Sequence, residues 1–356
     1  MRKKAIKLLS VLVCAFMCAG LFVGCTKYKS TDKENADNKV EPTEEGNKDK
    51  LTKIRLNEVT RSIFYAPMYA AISEGFFEEQ GIEIELSTGQ GADKTMQQLI
   101  SRSVDIGFSG PEQVMYIYNQ GRDDYPVVFA QLTQKDGSFL VSRAKHNEFS
   151  WQDIKGKTVI GGRPGGVPEM ALEYVLKNEK IDKYKELNLV TNIAFDAVPG
   201  AFKGGTGDYA AIFEPTASII AKEINGSVVA SIGESAGNLP YTCFYAAKSY
   251  IDNNEELLVK FIKAIQKGQD WVMTNDDATV AASIKDFFHG TDEEVIATVV
   301  GNYKKIEAYA KTPVVREEDM NRLMDIIESY DSELLTKRPP FKDIVNNSIS
   351  EKAMDK

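Results

Sequence analysis

The sequence predicts an α/β protein of two sheet-based lobes, the second inserted into the first. Three observations carry that expectation. Short apolar runs alternate with amphipathic stretches at regular spacing, the alternation falls into two blocks, and a long helical tail follows from Asn254. The 356 residues, 43% hydrophobic and 27% charged, are enough for two domains.

In chain order, TKIRLNEV reads as a first strand and APMYAAISEGFFEEQG as a helix closed by Gly81. IEIELSTG alternates with a period of two, DKTMQQLISRS is helical, and VDIGFSG is a third strand. PEQVMYIYNQG follows as a helix with Pro111 at its first turn, then VVFAQLT as another strand. SFLVSRA, KTVIGG, KELNLVTNI and YAAIFE supply the strand signals of the second block, interleaved with helical MALEYVLKN and TASIIAKEI. GSVVASIGE and TCFYAAKSY add two more strand-like runs. The chain is expected to cross between lobes near residues 137–140 and 243–246. That gives a first lobe of 51–138 with 246–356 and a second of 139–245.

In a mostly parallel sheet, ligands sit beyond the carboxyl ends of the strands, beside helix N-termini with unpaired N–H groups. The loops at those ends are therefore the candidate site.

The first residues read differently. MRKKAIK followed by LLSVLVCAFMCAGLFVG is a basic start and an apolar run, the pattern of a bacterial export signal over residues 1–24. Residues 25–50, dense in Lys, Glu, Asp and Asn, read as a flexible tether that cannot repay the entropy of ordering. Cys14 and Cys18 fall inside the signal, leaving Cys25 and Cys243 and no disulfide framework. Cys243, in the apolar run TCFYAA, is expected to be a packing residue.

The formal net charge is -9, and four basic residues belong to the export segment, so the body is more acidic still. That balance, without a basic stripe, argues against nucleic-acid binding. His146 and His289 are the only histidines. No HExxH or cysteine–histidine cluster is present, so neither a metal nor a cofactor is expected. Both histidines are expected to face solvent.

Four stretches carry a family likeness: RSIFYAPMYAAISEGFFEEQGIEIEL, LISRSVDIGFSGPEQV, DIKGKTVIGGRPGG and DYAAIFEP. With them the chain resembles the solute-binding lipoproteins of ABC importers, in the group that includes aliphatic-sulfonate, nitrate and thiamine-precursor binding proteins. The resemblance implies a periplasmic-binding-protein-like type II fold, with two α/β lobes, a hinge and a central ligand cleft. It further implies binding without chemistry, a permease and an ATPase as partners, and a monomer. A signal ending at Gly24-Cys25 resembles a lipoprotein signal, with Cys25 lipidated and the body held at the outer face of the cell membrane; Phe22 stands where that pattern prefers leucine.

Within the expected cleft, Ser62, Tyr65 and Tyr69 follow the first strand, and an aromatic there can stack on a flat ligand. Tyr65 and Tyr69, four apart, can equally serve to pack the helix. Ser109, Gly110 and Glu112 lie at a strand end and the first helical turn. Arg163, Gly165, Gly166 and Glu169 repeat that design in GRPGGVPEM. Glu214 ends YAAIF; Asp136 and Tyr241 lie near the two crossings.

A cleft with several carboxylates favours N–H donors, because buried charge is costly unless paired. An amino-substituted nitrogen heterocycle such as a thiamine pyrimidine precursor fits best. The alternative is an aliphatic sulfonate or other small anion held by Ser109 and Arg163. A third reading is an enzyme of pyrimidine or thiamine-precursor metabolism using Glu112 with Glu169 as an acid–base pair.

Overall fold

The computed structural model describes residues 51–355; the export segment, Cys25 and the tether lie outside the described residues. In the first block, β1 (Thr52–Glu58), β2 (Ile82–Thr88), β3 (Ile106–Ser109) and β4 (Pro126–Thr133) alternate with α1 (Ala66–Ser73), α2 (Ala92–Ile100) and α3 (Glu112–Asn119). The second block holds β5 (Ser138–Ser142), β6 (Thr158–Ile160), β7 (Asn188–Val190), β8 (Tyr209–Phe213) and β9 (Ser227–Ser231). Its helices are α4 (Val167–Asn178), α5 (Val198–Lys203), α6 (Thr216–Glu223) and α7 (Ile232–Ala236). After β10 (Thr242–Ala247) come α8 (Lys248–Asn253), α9 (Glu255–Thr274), α10 (Asp277–Ile284), α11 (Glu293–Lys305), α12 (Glu317–Tyr330), α13 (Phe341–Ile344) and α14 (Asn347–Met354).

The strands form two five-stranded sheets, ordered β2-β1-β3-β10-β4 and β7-β6-β8-β5-β9. Each contains one strand antiparallel to its neighbours, β10 in the first and β5 in the second. Both follow a crossing directly. A chain arriving from the other lobe enters its new sheet at the cleft edge and must run away from it, opposite to the parallel strands that end there.

Sheet pairing also corrects the expected second crossing. Thr242 to Tyr245, which the 245/246 boundary assigns to the second lobe, are strand residues of the first sheet. The crossings lie before that, at 134–137 and 237–241, and they are bonded to one another: the Leu239 amide donates to the Gln134 carbonyl at 3.0 Å and the Tyr241 amide to that of Thr133 at 3.1 Å.

The all-buried β4 and β10 account for why VVFAQLT and TCFYAA read as continuous apolar runs rather than alternating ones. Phe108, Phe244, Phe261 and Phe129 pack around them, and Cys243 is fully buried among core residues. Helix α9 lies against α1 at Gly268, where a Cβ would stand 2.3 Å from the Pro67 carbonyl oxygen. The tail does not all stay with the first sheet. Helix α14 returns to it, with Ser350 Oγ donating to the Phe129 carbonyl at 2.6 Å, whereas α12 packs against α4 and the Nζ of Lys177 reaches Ser329 Oγ at 2.8 Å.

Candidate functional site

A cavity of about 440 Å³ opens where the parallel strands of both sheets end. Its first-lobe wall comes from the loops after β1, β2 and β3; its second-lobe wall comes from those after β6, β7 and β8. Tyr241 and Thr242 line it from the return crossing. Both crossings and every parallel ladder direct the chain so that these ends face one space.

Glu112 is in the first turn of α3, and its carboxyl folds back over Gly110. A Cβ on Gly110 would stand 2.0 Å from Oε2, so only glycine leaves room for this rotamer. Gln113 Nε2 donates to Oε1 at 3.2 Å, while buried Oε2 has no partner among the described residues. Burial pushes the Glu112 carboxyl up to about 7, against the opposing pull of the Gln113 bond and the Arg163 charge.

Glu169 occupies the matching turn of α4; its buried oxygens make no well-formed hydrogen bond among the described residues, although the Tyr330 hydroxyl and the Glu173 carboxyl lie beside them. Burial and the adjacent Glu173 carboxylate both push its pKa upward; Lys183, ion-paired with Glu173, pulls weakly the other way. Glu214 differs from both. Its oxygens accept from Ser218 N at 2.9 Å and Ser218 Oγ at 2.6 Å, so its hydrogen-bonding capacity is used to start α6.

Arg163 lines the second-lobe wall and approaches Asp93 of α2 at 3.8 Å, a contact that spans the cleft. Tyr65, Phe195, Phe213 and Tyr241 supply an aromatic surface, with the Phe195 and Phe213 rings edge to face at 5.6 Å. Tyr65 in turn packs edge-on against Phe108 at 4.7 Å, and Ser62 Oγ accepts the Phe64 amide at 3.3 Å, starting the short helix Ile63–Tyr65.

Of the residues singled out from sequence, Ser62, Tyr65, Gly110, Glu112, Arg163, Gly166, Glu169, Glu214 and Tyr241 lie on the cavity wall. The other four stand behind it. Tyr69 donates its hydroxyl to Glu58 Oε2 at 2.5 Å, and Ser109 Oγ is 2.6 Å from the Tyr245 hydroxyl. Asp136 accepts the Ser138 amide at 2.7 Å within the first crossing, and its carboxyl is pushed up to about 6 by burial. Gly165, at φ +72°, lies against Leu334, and its carbonyl accepts from the Tyr116 hydroxyl at 3.4 Å. His146, expected in solvent, is half-buried with Nε2 3.0 Å from Ser142 Oγ and 3.3 Å from the Tyr209 hydroxyl. His289 is exposed.

Sequence reasoning missed Arg61, Thr88, Gln90, Phe195 and Phe213, all on the wall. Thr88 and Phe213 each end a parallel strand, so position alone could have found them. Phe195 could not be found that way, since it opens a three-residue 3-10 helix, Phe195–Ala197, too short to leave a periodic signal.

The comparisons with known proteins agree with this geometry. Residues 63–279 match the family model described as NMT1/THI5 like. "Putative binding protein YtlA" of Bacillus subtilis (strain 168) is 45% identical over 302 residues, covering 85% of this chain and 90% of its own. Among solved structures, the alkanesulfonate-binding protein SsuA of Xanthomonas axonopodis pv. citri, bound to MOPS, superimposes with a TM-score of 0.67 at 15% identity. That match covers 83% of this chain and 98% of the other. The aliphatic sulphonate binding protein SsuA of Escherichia coli gives 0.66 at 15% identity, covering 84% and 99%. At such identities the superpositions establish the fold, a two-lobed periplasmic-binding-protein architecture. The family match and the relative at 45% identity go further: the chain belongs to the NMT1/THI5-like family.

Proposed function

We propose that this protein is the extracytoplasmic solute-binding component of an ABC importer, a binding protein rather than an enzyme, lipid-anchored through Cys25 and monomeric. Its cargo is an amino-substituted nitrogen heterocycle, of which a thiamine pyrimidine precursor is the leading candidate. The observation that carries the ligand class is the buried, unpartnered Oε2 of Glu112 on the cavity wall, with the Glu169 carboxyl on the opposite wall. A buried acceptor without a donor is costly, and a ligand amino group or ring N–H would supply the missing partner. The aromatic surface of Tyr65, Phe213 and Tyr241 suits a flat ring.

Binding works by closure. Contacts from a bound ligand to both Glu112 and Glu169 favour the state in which the two walls approach, and closure removes water from those contacts. The equilibrium shifts only by the ligand's difference in affinity for the open and closed forms.

A second reading, an aliphatic sulfonate, is favoured by Arg61 and Arg163 on the wall. Calorimetric titration separates the two. The thiamine-precursor aminopyrimidine should bind at least about tenfold tighter than butanesulfonate or nitrate. Tighter binding of either anion would reject the heterocycle.

A further inference from the structure

Arg61 lies on the loop after β1 and reaches the cavity wall. Its Nε donates to Glu58 Oε1 at 2.6 Å, and its guanidinium carbon stands 5.5 Å from the Tyr69 ring centre and 5.3 Å from that of Phe287. Glu58 is fully buried and also accepts from the Tyr69 hydroxyl at 2.5 Å and from Thr88 Oγ1 at 2.9 Å. The stacked Tyr69–Phe287 ring pair and a buried carboxylate therefore hold the guanidinium in place.

That arrangement uses one edge of the fork. Among the described residues neither Nη atom has an acceptor, although the side chain is 36% exposed at the cleft. A guanidinium has five N–H donors in a rigid pattern that matches an oxyanion. Hydroxyls already satisfy both Glu58 oxygens, so the fold needs the arginine's charge and one N–H but not the remaining fork.

Strand order places this fork relative to the carboxyls. Arg61 follows β1 and Glu112 follows β3, parallel neighbours in the sheet. Adjacent strands lie about 5 Å apart. On the other side of β1, the loop after β2 leads into α2, whose cap residue Gly91 makes no side-chain bond to the first N–H groups. Asp93 in the first turn of α2 faces Arg163 across the cleft, so Arg61 over β1 stands between a paired carboxylate over β2 and the Glu112 carboxyl over β3.

Resting on the heterocycle reading above for its amino end, we propose that Arg61 receives an acidic oxyanion substituent of the ligand, a carboxylate or a phosphate monoester. The cargo is then an aminopyrimidine with an acidic arm, its amino N–H groups at Glu112 and its arm on the free edge of Arg61.

The test is titration of the full-length protein with a neutral hydroxymethyl-aminopyrimidine, its phosphate monoester and the corresponding carboxylate. The variants are Arg61→Gln, which keeps a donor for Glu58, and Arg61→Lys, which keeps charge without the fork. At least one acidic form should bind the unaltered protein about tenfold or more tighter than the neutral parent, and which form does so identifies the arm. Arg61→Gln should erase that preference while leaving the neutral parent within about twofold, and Arg61→Lys should fall between. Equal binding of all three probes, or an equal loss of all three in Arg61→Gln, would overturn the proposal. If no aminopyrimidine binds, the heterocycle reading fails, and titration with inorganic phosphate and butanesulfonate decides the Arg61 assignment. A tenfold loss in Arg61→Gln keeps its oxyanion role, and no binding or no loss removes it.

Discussion

Glu112 and Glu169 hold equivalent places in the two lobes and have different environments. Each is in the first turn of a helix, next to a proline, on a loop leaving a parallel strand. Glu112 keeps one hydrogen bond from Gln113 and is opposed by no neighbouring carboxylate in contact. Glu169 keeps no well-formed one and lies between the Tyr330 hydroxyl and Glu173, the latter on its own helix one turn on. The same local sequence device has thus produced one carboxyl poised near neutrality and one pushed further toward its protonated form by burial and by Glu173. Helix position fixes where a carboxyl points; burial raises the pKa of both, and at Glu169 the neighbour one turn away adds to it.

The largest effect is expected from the isosteric replacement Glu112→Gln. If the ligand's N–H groups need an ionised carboxylate, this variant should bind about 30- to 100-fold more weakly at pH 8, the loss of a charge-assisted hydrogen bond. Gly110→Ala should weaken binding comparably without altering any polar group, because its Cβ would occupy the place of Glu112 Oε2. Calorimetric titration with the aminopyrimidine reads both. Unchanged affinity in both variants would place the ligand elsewhere in the cleft.

The same residue should leave a mark on stability. A carboxyl whose folded pKa is about 7, above its usual 4.5, binds protons more tightly in the folded state. Its ionisation therefore destabilises the fold as pH rises from about 4.5 through 7, and the penalty is complete above that. Glu112→Gln removes it. In the ligand-free protein the variant should melt several degrees above the unaltered chain at pH 8 and show a much smaller difference at pH 5. Binding of a cationic or N–H-rich ligand should also release protons near pH 6, measurable by titration in buffers of different ionisation enthalpy. Equal melting curves at both pH values would place Glu112 in a more solvated setting.

These environments mark what the sequence does and does not disclose. Strand–helix alternation was enough to expect the two sheets, because β1 to β4 each end where turn residues begin and the buried β4 has no polar interruption before Gln131. The match of Pro111-Glu112 to Pro168-Glu169 was also legible, since a proline and an acid at a helix start are local signals. Which carboxyl was free was not. Glu214 follows an apolar strand just as plausibly, yet Ser218, one helical turn on, satisfies both its oxygens. Tyr69 was misplaced for a similar reason: its hydroxyl is committed to Glu58, a partner eleven residues earlier in the chain. Arg61 was overlooked because its importance comes from Phe287, which reaches it from the helical tail.

The smallest effect is expected at Glu169, and it sharpens the contrast with Glu112. A carboxyl pushed toward its protonated form by burial and by Glu173 has nearly the shape and hydrogen-bonding capacity of an amide. Glu169→Gln should therefore change ligand affinity by less than about threefold at pH 7, whereas Glu169→Ala, which removes the polar group and opens space, should cost about tenfold. Glu173→Gln should lower the Glu169 pKa by removing the repelling charge, and the titration of Glu169 can be followed by carboxyl-selective NMR. If Glu169→Gln instead weakens binding as strongly as Glu112→Gln, both carboxyls are ionised in the complex. The ligand would then present a positive or N–H donor face to each lobe, and the asymmetry of the empty cleft would be a property of the ligand-free state alone.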